Sequence, residues 1–299
     1  MYKGRHITVV IPALDEEASI GRVLDGLSGL QACANCSKPH DYETKPDPAI
    51  DSRPQPSVDV KTNVLETAAT DACSCTTYTA VVDQMIVCDN GSSDNTASIA
   101  RKCGAIVTEE LERGYGAACL AALAVPVEKD IVVFADGDHS VVAEELPSLL
   151  DPLFEGADMV IGSRTLGVTE KGALSTPQAF GNHLASLMIR VLWRSKVTDL
   201  GPFRAITQSA LQDLNMSDRK FGWTVEMQVV ALQQGKRVVE VPVTTRARIG
   251  KSKISGTVRG VIGAAHGILG TIGKLDFRGL VTSAGLRPSG KTEKPNGNA

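Results

Sequence analysis

Ile131-Val132-Val133-Phe134-Ala135-Asp136-Gly137-Asp138 is the stretch on which the fold turns. Four consecutive apolar residues read as a strand covered on both faces. The strand ends in two carboxylates separated by one glycine. Charged oxygens at the edge of a hydrophobic core are costly unless something positive compensates them. A divalent cation carrying a diphosphate would do so, because Mg²⁺ takes one or two carboxylates together with substrate phosphate oxygens.

Outward from this strand, strand and helix signals alternate. His6–Pro12 reads as a strand, and Glu16–Leu30 has helical spacing with Ile20, Val23, Leu24 and Leu27 on one face. Gln84–Cys88 is a strand, and Ser92-Ser93-Asp94 supplies a helix N-cap before Thr96–Cys103. Ala105–Val107, Ile131–Ala135 and Asp158–Gly162 are further strands, with an Ala-rich helix over Tyr115–Val125. Beyond them come helices over Gln178–Trp193 and Thr224–Gln233 and a strand over Arg237–Val241. This order predicts a mostly parallel sheet with helices on both faces. In such sheets ligands bind beyond the carboxyl ends of the strands. The informative loops are therefore those at Pro12–Asp15, Asp89–Ser92, Asp136–Asp138 and Gly162–Arg164.

Residues 31–80 break the rhythm. They are rich in Pro, Asp, Ser and Thr, show no sustained period, and read as a solvated insertion. Cys33, Cys36, Cys73 and Cys75 lie there, and two close thiolate pairs raise zinc binding as the alternative. The expected organisation is one domain over 1–275, interrupted by this insertion, with a flexible tail over 276–299. The chain has 299 residues, is 42% hydrophobic and carries a net charge of −3, so no global basic field points to nucleic acid. No apolar run approaches the ~20 residues that span a bilayer. The charged start Met1–His6 leads directly into a strand, and the chain reads as cytoplasmic. Buried reduced thiols are the simple account of Cys88, Cys103 and Cys119.

Three groups of residues suggest chemistry. Asp136 and Asp138 could form a hairpin turn, but the buried strand before them favours a metal–diphosphate site. In Asp89-Asn90-Gly91-Ser92-Ser93-Asp94, turn and capping chemistry explains Ser93 and Asp94 but not Asp89, which ends the strand. Glu16 and Glu17 suit a helix N-terminus, while Asp15 belongs to the loop and would lie beside Asp89 if their strands were neighbours.

Val9-Val10-Ile11-Pro12-Ala13-Leu14-Asp15-Glu16-Glu17, the Asp89–Asp94 loop and Asp136-Gly137-Asp138 resemble the family 2 glycosyltransferases. Gly162-Ser163-Arg164, Asp199-Leu200-Gly201-Pro202-Phe203-Arg204 and Arg248-Ile249-Gly250-Lys251-Ser252-Lys253 resemble its dolichyl- and undecaprenyl-phosphate sugar transferase branch. Two positions depart from the pattern: Asp15 stands where the family usually has Asn, and Leu200-Gly201-Pro202 where the branch often has Thr-Gly-Ser. The resemblance implies a single-domain GT-A-like α/β fold that binds a nucleotide-diphosphosugar. Pro12, Asp15, Glu16, Asp89 and Gly114 would line the donor pocket, for a UDP- or GDP-sugar. Asp136 and Asp138 would hold Mg²⁺ or Mn²⁺ and the diphosphate. Arg164, Arg204, Glu226, Arg248, Ser252 and Lys253 would serve the acceptor and the phosphates, where arginine gives bidentate recognition.

The implied reaction is an inverting, metal-dependent sugar transfer to a polyprenyl phosphate. An anionic acceptor needs no general base. A hydroxyl acceptor would need one, and Asp199 and Glu226 are the candidates. Transfer to a soluble acceptor and sugar nucleotidyl transfer are the alternatives, although the nucleotidyltransferase Gly-rich loop is missing after the first strand. A lipid acceptor implies peripheral membrane contact, for which Arg246, Arg248, Lys251 and Lys253 precede an apolar stretch over Thr257–Gly273.

Overall fold

A computed structural model of the protein describes residues 1–33, 78–250, 270–273 and 275. Within them, β1 (Ile7–Ala13), α1 (Ile20–Ser28), β2 (Gln31–Cys33), β3 (Tyr78–Ala80), β4 (Gln84–Asp89), α2 (Thr96–Lys102) and β5 (Ile106–Glu109) come first. α3 (Tyr115–Leu123), β6 (Ile131–Phe134), α4 (Leu146–Phe154), β7 (Met159–Ser163) and α5 (Thr176–Leu192) follow. β8 (Arg204–Thr207), α6 (Gln208–Leu214), α7 (Trp223–Gln233) and β9 (Val238–Pro242) complete the order.

Seven strands form one sheet in the order β5-β4-β1-β6-β8-β7-β9. All neighbours run parallel except β8, which is antiparallel to both β6 and β7. The predicted mostly parallel sheet is therefore observed, with one inversion. Alternate strand residues face opposite layers. On β6, Ile131 and Val133 join the layer covered by α1, α2 and α4, whereas Val132 and Phe134 face α3, α6 and α7. Buried on both sides, β6 has the composition that marked it in the sequence.

The carboxyl ends of β1, β4, β6 and β7 share one edge of the sheet, which gathers the loops after Ala13, Asp89, Phe134 and Ser163. β8 enters the sheet from that same edge: Arg204 is in register with Phe134 on one side and Ile161 on the other. The sequence reading assigned no strand at Arg204, because β8 is four residues long and begins with a charge. The helices α4 and α6 were likewise not anticipated.

The stretch read as an unstructured insertion begins and ends in structure. β2 and β3 pair antiparallel, with Gln31 opposite Ala80 and Cys33 opposite Tyr78. The chain thus leaves and re-enters the fold at adjacent points, an arrangement that tolerates a long excursion. Residues 34–77, with Cys36, Cys73 and Cys75, lie outside the described residues, as does the Cys33 side chain, and so does the expected tail over 276–299.

Candidate active site

At the sheet edge, Asp136 and Asp138 line two cavities at once, of about 390 and 300 Å³, and Arg248 lines both with them. Asp138 is buried; its Oδ1 accepts the Ser140 amide at 3.0 Å and its Oδ2 pairs with the Arg248 guanidinium. The residue after Arg248 donates its amide to the Asp138 carbonyl, Ile249 N to O at 3.0 Å. Asp136 accepts the Tyr115 hydroxyl on Oδ1 at 3.2 Å. Burial pushes the Asp136 carboxyl up to about 7, with the Asp138 charge adding to the rise and Arg248, Tyr115 and Arg164 opposing it. The two carboxylates thus face open space together and repel one another.

The smaller cavity is walled by Pro12, Glu16, Gly114 and Tyr115, the first three of which the donor-pocket expectation named. Asn90, Arg113, Lys220 and Phe221 also line it. Asn90 is the organiser. Its buried amide donates to the carbonyls of Glu110 and Glu112, both at 2.8 Å, and its Oδ1 accepts the Gly114 amide at 2.8 Å. This fixes the loop that carries Arg113, whose guanidinium donates to the Gly91 carbonyl at 2.9 Å. Lys220 and Phe221 belong to a loop whose carbonyls accept the first amides of α3, Ala117 N to Arg219 O at 2.9 Å and Gly116 N to Lys220 O at 3.2 Å. Nothing periodic in the sequence marks that loop; only the crossing from residue 114 to residue 219 reveals it.

The approach is so close that a Cβ on Gly116 would stand 2.0 Å from the Asp218 carbonyl oxygen. Gly116→Ala should therefore cost about 1–3 kcal/mol of stability. It should also push Lys220 and Phe221 out of line, which steady-state kinetics would show as a raised donor KM at unchanged acceptor KM.

Asp15 and Asp89 do not line this cavity. The Asp89 carboxylate turns back on its own loop and accepts the Ser92 amide at 3.0 Å and the Ser92 hydroxyl. Asp15 faces the same loop, as neighbouring strands predicted, and accepts the Ser93 amide at 2.7 Å. Its φ of 50° lies in the left-handed region, which Asn and Asp enter most readily among side-chain-bearing residues. An Asp where Asn is usual therefore keeps the backbone geometry. The N-cap of α2 is Asn95 rather than the expected Ser92–Asp94 group, and its side chain makes no capping hydrogen bond; Asp94, one residue earlier, accepts the Thr96 amide at 3.0 Å.

In the larger cavity Arg164 is the cation besides Arg248. It is held bidentate by Asp199, Nε to Oδ2 at 2.9 Å and Nη2 to Oδ1 at 2.6 Å. Asp199 is fully buried and also accepts the Arg164 amide at 2.6 Å. Burial works against its charge, but the Arg164 hydrogen bonds outweigh it and hold the carboxyl below the usual range. Such an acid is unsuited to take a proton from a substrate. Because its folded pKa lies below the unfolded value of about 4, the stabilisation is fully present above that pH and is lost as pH falls through the lowered pKa. Asp199→Asn should lower the unfolding free energy at pH 7 by about 3 kcal/mol and flatten the acid limb of a stability–pH curve.

Glu226 and Arg204 are also engaged elsewhere. The Glu226 carboxylate accepts the Ser217 and Asp218 amides at 3.0 and 2.7 Å and the Ser217 hydroxyl at 2.6 Å. Arg204 is buried in the sheet edge, its guanidinium donating to the carbonyls of Leu200, Gly201 and Thr224. Burial presses its pKa down to about 10. Neither lines the two cavities, because the antiparallel insertion of β8 turns Arg204 inward. Ser252 and Lys253 lie outside the described residues.

Two hard carboxylates beside open space suit Mg²⁺ or Mn²⁺. Among the described residues no group of three or more His, Cys, Asp or Glu side chains is placed to hold a metal. A cation on Asp136 and Asp138 would thus complete its shell with water and ligand oxygens, the habit of Mg²⁺. It would also relieve the repulsion that lifts Asp136.

The family model for glycosyl transferase family 2 matches residues 68–214. An uncharacterized glycosyltransferase of Mycobacterium tuberculosis (strain ATCC 25618 / H37Rv) is 38% identical over 180 residues, covering 59% of this chain and 80% of that protein. The dolichyl-phosphate hexose transferase of Haloferax volcanii is 34% identical over 175 residues, 56% of this chain and 73% of that protein. The undecaprenyl-phosphate mannosyltransferase of Micrococcus luteus is 30% identical over 194 residues, 60% and 78% respectively. Among solved structures, glucosyl-3-phosphoglycerate synthase from Mycobacterium tuberculosis with Mn²⁺, uridine-diphosphate and phosphoglyceric acid superposes with a TM-score of 0.60 at 21% identity. That match covers 96% of this chain and 81% of the other, a likeness of fold.

Proposed function

Since the chain belongs to glycosyltransferase family 2 and is a glycosyltransferase, we propose that it moves a hexosyl group from a nucleoside-diphosphate sugar to a lipid-borne phosphate. The observation that carries this reading is the meeting of two cavities at one pair of carboxylates. The smaller takes the nucleotide donor and the larger the acceptor. With acceptor and leaving group on opposite sides of the anomeric carbon, attack inverts that centre.

A Mg²⁺ or Mn²⁺ ion held by Asp136 and Asp138 would supply neutralisation of the departing diphosphate, charge that grows in the transition state. The protein's own side chains do the rest. Tyr115 holds one Asp136 oxygen, which leaves the other for the cavity. Arg248, at the junction, offers its guanidinium to phosphate oxygens from either side, and Arg164 orients an anionic acceptor against it. Asp199 positions Arg164 in turn. Held in this way, the reacting atoms meet in line without further loss of motional freedom.

The acceptor class follows from proton bookkeeping. Among the described residues lining the larger cavity, Asp136 and Asp138 are the only carboxylates and no histidine is present. Asp199 and Glu226 are engaged in structural hydrogen bonds. A hydroxyl acceptor would have to give up a proton; a phosphate is already anionic and needs no base. The polyprenyl phosphates named for two of the relatives fit this chemistry.

The test is product analysis with UDP- and GDP-hexoses, Mg²⁺ or Mn²⁺, and a panel of acceptors: a polyprenyl phosphate, a short water-soluble prenyl phosphate, 3-phosphoglycerate and a simple alcohol. A lipid phosphohexose with one nucleoside diphosphate released per transfer is expected. Transfer to alcohols alone would sink the phosphate reading, and transfer to phosphoglycerate alone would sink its lipid part.

A further inference from the structure

Nine large apolar side chains are exposed among the described residues, and six of them fall between residues 166 and 192. Four are on α5, where Phe180 is 68% exposed and Val191 67%. Phe180, Leu184, Leu187 and Val191 are spaced four, three and four residues apart, so they form one stripe along the helix. The opposite face is accounted for: Ala185 and Ile189 are buried against Val225 and Val229 of α7 and against Ile272. A Cβ added at Gly181, beside the stripe, would meet nothing within 4 Å. The loop leading into α5 adds Leu166 and Val168, both exposed.

The charge along this segment has one sign. From Lys171 to Thr198 the sequence contains no Asp or Glu, while Lys171, Arg190, Arg194 and Lys196 are exposed and make no ion pair to any described residue. An apolar stripe beside unopposed cations is the pattern of a helix that lies in a bilayer interface, and anionic headgroups attract such cations. No helix among the described residues is long and apolar enough to cross a membrane, so contact through this element would be interfacial. The position also suits a lipid acceptor. Gly172, Ala173, Leu174, Ser175 and Gln178, which lead into the helix and form its first turn, line the larger cavity that holds Arg164.

We infer that α5 docks the protein onto an anionic bilayer surface and sets the mouth of the acceptor cavity against the headgroups. This rests on the reading of the acceptor as lipid-borne. It places the docking contact on α5, whereas the sequence reading placed it on the Thr257–Gly273 stretch.

The experiment is flotation of the full chain with vesicles of phosphatidylcholine alone or with about 30 mol% phosphatidylglycerol, whose negative charge attracts basic side chains. Phe180→Ser/Val191→Ser and Arg190→Glu/Arg194→Glu are compared with the wild type, with melting temperature as the fold control. Wild type should float with anionic vesicles in a salt-sensitive manner, and each double variant should bind at least about tenfold more weakly. Turnover with vesicle-borne polyprenyl phosphate should fall in parallel, while turnover with the short water-soluble prenyl phosphate should not change. Vesicle binding by both variants at the wild-type level overturns the inference. So does binding that is lost only when Lys251 and Lys253 are changed, or a wild-type dimer in solution that Phe180→Ser/Val191→Ser dissociates. If vesicles bind through α5 but no phosphate accepts sugar, the acceptor reading fails and the docking stands. If sugar reaches the soluble phosphate but α5 is irrelevant to vesicles, the docking fails and the phosphate acceptor stands.

Discussion

Replacing Asp138 by Asn is expected to cut sugar transfer by about 10²–10³-fold, the scale seen when one electrostatic partner of a developing charge is removed. The substitution keeps the shape of the side chain. An amide oxygen can still accept the Ser140 amide that Asp138 now accepts at 3.0 Å. What disappears is one negative charge between the two cavities, and with it half of the proposed cation site and the partner of Arg248. Arg248 is part-exposed, so its released charge finds water and the fold should lose little. The signature is therefore a fall in kcat with a melting temperature close to that of the wild type. The rise in melting temperature that Mn²⁺ plus nucleoside diphosphate should give the wild type, by binding the folded form alone, should shrink in the variant. A chelator should bring the wild type down to a similar rate. Full activity with both Asp136 and Asp138 changed to Asn would refute the proposed site.

Arg204→Met should act in the opposite way, with a large effect on stability and a small one on chemistry. The Arg204 guanidinium satisfies three carbonyls, Leu200 at 2.8 Å, Thr224 at 2.9 Å and Gly201 through two of its nitrogens. Methionine fills much of the volume but donates nothing. Each buried carbonyl left without a donor costs about 1–3 kcal/mol, so a loss of about 3–5 kcal/mol is expected, a large part of the 5–15 kcal/mol typical of a domain. Lysine should not rescue it, because one ammonium cannot reproduce a planar fork reaching three acceptors. Urea unfolding measures the loss. Kinetics below the unfolding transition should show donor and acceptor KM values within a few-fold of wild type. A stable variant with a donor KM raised a hundredfold would instead return Arg204 to the phosphates.

The contrast between these two residues shows how the sequence could be read. Asp138 was legible because its chemistry is local: an apolar strand, a glycine, and acids that the strand delivers to the sheet edge. Arg204 stood in an equally suggestive motif, yet its side chain went inward. Asn90 sat unremarked in a loop already quoted, since its function is to hold residues 110–114, which no local pattern connects to it. Lys220 and Phe221 reach the smaller cavity only because two glycines, Gly114 and Gly116 at the start of α3, let their loop approach.

By itself the sequence determined most of the alternation of strands and helices and the acidic edge, because side-chain periodicity and turn chemistry act within a few residues of one another. Only the tertiary structure decided which charges meet and which are withdrawn. Asp199 engages Arg164 across 35 residues, and Asp138 engages Arg248 across 110. The short antiparallel β8, slotted between β6 and β7, turned a surface-looking arginine into a buried brace. Burial and pairing belong to the neighbours a residue acquires on folding, and those neighbours are set by the strand order of the whole sheet.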